Sequence, residues 1–139
     1  MEIEHQTLDY KSVRKIRSGD KGFKDLSVSC VAFANAQGGT LYIGIEDDTL
    51  TPNQDQIISE TEVNETVSRL RSLCFNVSLT SSELITHENG GQYFKVMVAP
   101  SLKSIATTSD GKIYLRVRDK CEPVRNEDLQ RLSIEKGTY

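Results

Sequence analysis

Tryptophan is absent from this sequence, and only 6% of its residues are aromatic. Aliphatic side chains must therefore build most of the core. No apolar run approaches the roughly 20 residues that cross a bilayer. The opening MEIEHQTLDY lacks the basic start and apolar stretch of a secretory signal, so the expected setting is cytoplasmic, with no membrane partner. Cys30, Cys74 and Cys121 lie far apart, with no C-x-x-C pair and an odd number among them. Neither a disulfide framework nor a zinc site is expected. His5 and His87 have no spacing partner for a histidine metal site. An excess of positive charge is also missing, with 17 Lys and Arg against 20 Asp and Glu. Basic domains are the rule for nucleic-acid binding, so such a function has to come from a local patch.

The 139 residues suit one domain over the whole of 1–139, with no repeat or low-complexity tract. Residues 1–11 read as a first strand. Phe23, Leu26, Cys30, Phe33 and Ala34 recur at helical spacing, predicting a helix over about 23–36. Val28, Val31 and Ala32 make its other side apolar, so it should be buried, with Cys30 on its apolar face. Gln37-Gly38-Gly39 ends it. TLYIGIED then reads as a central strand with two apolar faces, and Gly44 marks a close approach to its backbone. Ser59 and Glu62 form a capping-box pattern before a second helix, with Val63, Val67, Leu70, Leu73 and Cys74 as its buried stripe. Strands follow at roughly 77–87 and 92–99, joined at Asn89-Gly90-Gly91. A second hairpin is expected around Ser109-Asp110-Gly111, leading into the strand Lys112–Lys120. Asn126 caps a short last helix through Leu132. The fold class is α/β (α+β), with a mixed central sheet, a buried N-terminal helix, a second helix, two hairpins and a short C-terminal helix.

Four features carry chemistry. Gly38-Gly39 join a helix to a following strand, which is the reverse of a phosphate-binding P-loop; they mark a tight turn. In the Lys112–Lys120 strand, alternation sends Tyr114, Arg116, Arg118 and Lys120 to one face. Ile113, Leu115 and Val117 then face the core. A row of cations headed by an aromatic ring can follow a phosphate backbone, although a solvated edge strand has the same pattern. Lys11, Arg14, Lys15, Arg17, Lys21 and Lys24 form a second basic stretch, able to lie along phosphates or simply to face water. Finally, Glu4, Asp9 and Asp47 offer three carboxylates, with Glu46 and Asp48 beside the last. Oxygen donors of this kind suit Mg²⁺ or Mn²⁺, and such an ion activates water for phosphodiester cleavage. Glu4 and Asp9 are an odd number of residues apart, so they share a face only if a turn or bulge intervenes.

Asp9-Tyr10-Lys11, the block Ala32-Phe33-Ala34-Asn35-Ala36-Gln37-Gly38-Gly39, the strand Leu41–Asp48, VAPS at 98–101 and DGKIYLRV at 110–117 occur in one order along the chain. Together they resemble the Schlafen-type AlbA-like domain, often the N-terminal part of longer bacterial transcriptional regulators. Asn35, Gly38 and Gly39 are its structural motif. This sequence departs from the pattern at Asp9 (usually Glu), Ala36 (usually Thr), Thr49 (commonly Gly) and Ser104-Ile105, where a proline is missing.

The resemblance implies DNA or RNA binding and no bound cofactor. Some Schlafen relatives are RNA endonucleases using three acidic residues, and Glu4, Asp9 and Asp47 occupy the matching places. The leading expectation is a nucleic-acid-binding regulatory domain, with DNA foremost. The alternatives are a Mg²⁺- or Mn²⁺-dependent ribonuclease, and an interaction module that forms a homodimer through apolar surface left uncovered.

Overall fold

A computed structural model of the chain describes residues 1–137. Strand β1 (Leu8–Lys11), helix α1 (Asp20–Asn35) and strand β2 (Gly39–Ile43) form one crossover unit, in which β1 and β2 are parallel. Parallel neighbours require such a connection, and α1 supplies it. Strand β6 (Gln92–Val98) pairs antiparallel with β2, and β4 (Leu79–Ser81) and β5 (Ile85–Thr86) both pair with β6. The main sheet therefore runs β1-β2-β6-β4 and is mixed. Helix α2 (Glu60–Ser72) leads into β3 (Cys74–Phe75), which pairs with β7 (Thr107–Thr108) in a separate ribbon. A hairpin of β8 (Tyr114–Val117) and β9 (Lys120–Pro123) precedes α3 (Asn126–Glu135). Among the described residues, no helix is long and apolar enough to cross a membrane.

Period-two alternation divides β2 between two cores. Leu41 and Ile43 face the main core with Phe94, Val96 and the buried stripes of α1 and α2. Tyr42 faces the other side, where Leu8, Tyr10 and Ile45 make a smaller cluster. On that side Tyr10 meets Tyr42 edge-on at 5.2 Å between ring centres. The two-faced strand expected at 40–47 is thus central, although its regular part stops at Ile43. At Gly44 the Gln56 side chain does approach the backbone, donating to its carbonyl at 3.0 Å.

The elements differ from expectation mainly at their ends. The first strand is short, because the stretch before Leu8 turns back through a His5–Leu8 bridge. Helix α1 begins at Asp20, ahead of its apolar stripe. The predicted capping box is present: Ser59 accepts from the Glu62 amide, and Glu62 from the Ser59 amide. Cys74 lies beyond α2, in β3, yet is buried. The segment 77–87 is interrupted between β4 and β5. Ser109-Asp110-Gly111 is a turn, but β7 pairs with β3 rather than with β8. Arg125, not Asn126, occupies the cap position of α3.

The Asn35–Gly39 block is structural. Gly38 sits at φ 76° and Gly39 lies against the Phe33 ring, where a Cβ would come within 2.4 Å. The Asn35 amide donates to the carbonyls of Ala106 and Tyr114, both at 2.9 Å. Its oxygen accepts from the Ala106 amide at 2.8 Å and from the Lys136 ammonium at 2.9 Å. All the hydrogen-bonding capacity of a carboxamide is used, joining α1, the approach to β7, β8 and the end of α3. Asn35→Ala strands several buried partners at once, so it should lower the unfolding free energy by about 3 kcal/mol or more, read from urea denaturation midpoints.

Candidate nucleic-acid interface

The expected row of cations is folded differently. β8 ends at Val117, the chain turns at Arg118 (φ 59°) and Asp119, and β9 begins at Lys120. Tyr114 and Arg116 do share a face, but it packs towards α1, which buries Arg116 and half-buries Tyr114. Arg116 is 2% exposed, while Val117, expected in the core, is 45% exposed. The reason lies at the turn into β1, where the carbonyls of His5 and Leu8, already bonded to each other's amides, have lone pairs left for further donors. Arg116 Nη2 donates to His5 O at 2.9 Å and Leu8 O at 3.0 Å. Its Nη1 reaches Asp9 Oδ2 and Cys121 Sγ, each at 3.4 Å. The guanidinium also lies 4.9 Å above the Phe33 ring centre. Arg116 therefore fastens the hairpin to β1 and is removed from any set of phosphate contacts.

Gln6 extends the seam. Its amide donates to Arg116 O at 2.8 Å, and its oxygen accepts from the Arg118 amide at 2.7 Å. The hairpin tip is thereby held two positions from Glu4. Arg118 and Lys120 are exposed there, and neither side chain has a partner among the described residues. Asp119 sits between them, so the tip carries one cation in excess.

The chain before β1 also decides the carboxylate question. Because it turns back at His5–Leu8, Glu4 reaches Asp9 despite their odd spacing. Glu4 Oε2 accepts from the Tyr10 amide at 2.9 Å, capping the β1 edge. Burial, then a hydrogen bond with the Asp9 carboxyl, push the Glu4 carboxyl up to about 7, against the weaker opposing pull of the Tyr10 amide. Lys11 Nζ lies 3.5 Å from Asp9 Oδ2. Burial raises the Asp47 carboxyl, which Lys11 pulls down and Asp9 pushes up. Glu4, Asp9, Asp47 and Lys11 thus make one electrostatic cluster. Glu46 beside it has an Oε2 buried without a hydrogen bond.

The basic stretch is not a loose loop. Residues Val13–Ile16 form a 3₁₀ turn, and most of the cations are paired. Lys15 meets Asp25 at 2.7 Å, and Arg17 makes a two-pronged contact with Glu62 at 2.8 and 3.0 Å. Arg14 lies 3.5 Å from Glu46 but is well exposed. Lys21 and Lys24 are exposed on α1, without ion pairs among the described residues. Lys15 and Arg17 are therefore committed within the fold, while Arg14, Lys21 and Lys24 remain open to a ligand.

The family model described as Schlafen, AlbA_2 matches residues 4–125. The chain belongs to the Schlafen AlbA_2 family. That membership marks it as a nucleic-acid-related domain. Its fold is similar to that of the DIP2311 protein from Corynebacterium diphtheriae, with a TM-score of 0.65 and 19% identity. The likeness covers 94% of this chain and 24% of that one, so the chain spans about a quarter of its length. No curated protein matches the chain.

The acidic donors of this Schlafen AlbA_2 domain have the right chemistry for Mg²⁺ or Mn²⁺, but their arrangement does not fit an ion. Among the described residues, no three His, Cys, Asp or Glu side chains are grouped to hold one. Asp9 Oδ2 already faces Arg116 and Lys11. What the cluster does hold is a proton near neutral pH. A carboxyl raised in the folded state binds protons that the unfolded chain releases, so its stabilising contribution is complete below about pH 4.5 and is lost as pH rises through about 7. Glu4→Gln keeps the acceptor for the Tyr10 amide and replaces the shared proton with an amide donor. The wild-type chain should lose stability relative to this variant between about pH 5 and 8, read from paired urea denaturation midpoints. Parallel profiles would show that Glu4 does not hold this proton.

Proposed function

We propose that the chain is a nucleic-acid-binding domain that acts in regulation, with DNA as the foremost partner. Its contact surface is the β8–β9 tip, whose Arg118 and Lys120 side chains are exposed and unpaired among the described residues. The observation that carries this reading is the Arg116–Gln6 seam, which holds the exposed Arg118 and Lys120 next to the start of β1. In an acidic chain, a cation kept free of internal carboxylates has a use that a paired one lacks, and phosphate recognition is driven by such cations releasing counterions. The family membership supports the same reading.

Affinity for DNA or RNA should then fall steeply as salt rises from about 50 to 200 mM. Replacing Arg118 and Lys120 together by Ala should weaken binding and flatten the slope of log affinity against log salt by about two. Both quantities come from fluorescence anisotropy titrations. Affinity that is flat with ionic strength would rule out the reading.

A second reading is favoured by Glu4, whose carboxyl near 7 suits a general acid or base at neutral pH. It is phosphodiester cleavage at Glu4, Asp9 and Asp47. Incubation with single-stranded DNA, duplex DNA and structured RNA, with and without Mg²⁺ or Mn²⁺, should give cleavage that Asp47→Ala abolishes. Intact substrates in every arm would remove it.

A further inference from the structure

A cleft of about 350 Å³ lies between α1 and the segment joining β7 to β8. Its walls include Lys24 and Val28 of α1, Leu73 just beyond α2, and Asp110, Lys112 and Tyr114. Glu4, Asp9 and Asp47 do not line it, so it is distinct from the carboxylate cluster. Its volume falls within the range of small-ligand pockets, about 300–1,000 Å³.

The lining groups divide by chemistry. Val28, Leu73 and the Tyr114 ring supply apolar surface, and the Tyr114 hydroxyl has no partner among the described residues. Asp110 is fixed by the Thr108 hydroxyl. That bond, with Lys112 and Lys24 adding their charge, holds its carboxyl below the usual range, so it is an acceptor at neutral pH. Lys24 has no ion pair among the described residues, and Lys112 has only a 3.8 Å contact with Asp110. Phe75 pairs across the β3–β7 ribbon with Thr107, next to the Thr108 of the cleft wall. Phe75 is 57% exposed, but by strand alternation it lies on the opposite face of the ribbon from Thr108 and outside the cleft.

A partly apolar cleft with one aromatic ring, an anionic acceptor and two cations in its lining fits one ligand class. We propose that the cleft is a subsite for one unpaired nucleobase of a single-stranded nucleic acid. Tyr114 stacks on the base, Asp110 accepts from its exocyclic amine, and Lys24 and Lys112 meet the flanking phosphates. A duplex does not fill the cleft without extruding a base, at a cost of unstacking and unpairing. No group in the cleft singles out a 2′-hydroxyl, so DNA and RNA single strands are both accepted. The inference rests on the nucleic-acid reading above and adds the strandedness of the ligand.

The test is anisotropy with four labelled probes of one length: single-stranded DNA, single-stranded RNA, duplex DNA and an abasic strand that keeps the phosphates. The expected result is binding of both single strands about tenfold tighter than of the duplex or abasic probe. Tyr114→Ala and Val28→Trp, which respectively remove the ring and fill the cleft, should each abolish that preference. Thermal melting checks the fold, and Val28→Trp removes no packed aromatic, so it decides the matter if Tyr114→Ala does not fold. Equal binding of all four probes, unchanged in both variants, overturns the subsite and leaves the nucleic-acid reading standing. No binding of any probe overturns both.

Discussion

One buried guanidinium determines how the two halves of the chain meet. Arg116, near the C-terminal end, donates to the carbonyls of His5 and Leu8 at the turn into β1 and faces Asp9. An unpaired strand edge exposes polar groups that are costly to leave bare and prone to pair with other chains. Here the His5 backbone and the Glu4 carboxyl bond that edge, and arginine, with its fixed fork of donors, locks the turn in place from within. The same contact orients the β8–β9 tip, so the fixing of the turn and the position of Arg118 and Lys120 have a single cause. The buried pair is poor evidence for added stability, since desolvation offsets its attraction. Its consequence is registry between the hairpin and β1.

That registry also bears on Asp9. Its carboxylate faces a buried arginine and Lys11 on one side and shares a hydrogen bond with Glu4 on the other. A carboxyl so placed is a structural counter-charge as well as a member of the acidic cluster. Glu4 is likewise both the cap of the β1 edge through the Tyr10 amide and the group that holds a proton near neutrality. Structure and any chemistry at this end of the sheet draw on the same side chains.

Much of the fold was legible in the sequence. The helical stripe of α1, the capping box of α2, the two-faced β2 and the glycine turn after Asn35 all follow from local pattern, and the Asp9–Lys11 and Ala32–Gly39 blocks pointed to the family. The site was less legible, because its decisive contacts span more than a hundred residues. Alternation correctly grouped Tyr114 with Arg116, but it assigned their face to solvent. The choice was made by the carbonyls of His5 and Leu8 at the turn into β1, which no pattern within 112–120 reveals. The turn at Arg118-Asp119 lacks glycine or proline, so nothing signalled the break of that strand. Conversely, the odd spacing of Glu4 and Asp9 argued against their convergence, and the reversal at His5–Leu8 removed the obstacle. Pairing of Lys15 and Arg17 with Asp25 and Glu62 was also invisible locally, and it took those two residues out of the expected basic surface.

The account turns on nucleic acid meeting the face that Arg116 assembles. The most direct measurement is a backbone amide NMR titration of the chain with a short oligonucleotide. Progressive shifts are expected at Gln6, Lys11, Arg118 and Lys120, with the exposed side of α2 around Glu65 and Ser68 unmoved. A saturating titration whose shifts lie on α2 and leave the hairpin tip and β1 unchanged would contradict it.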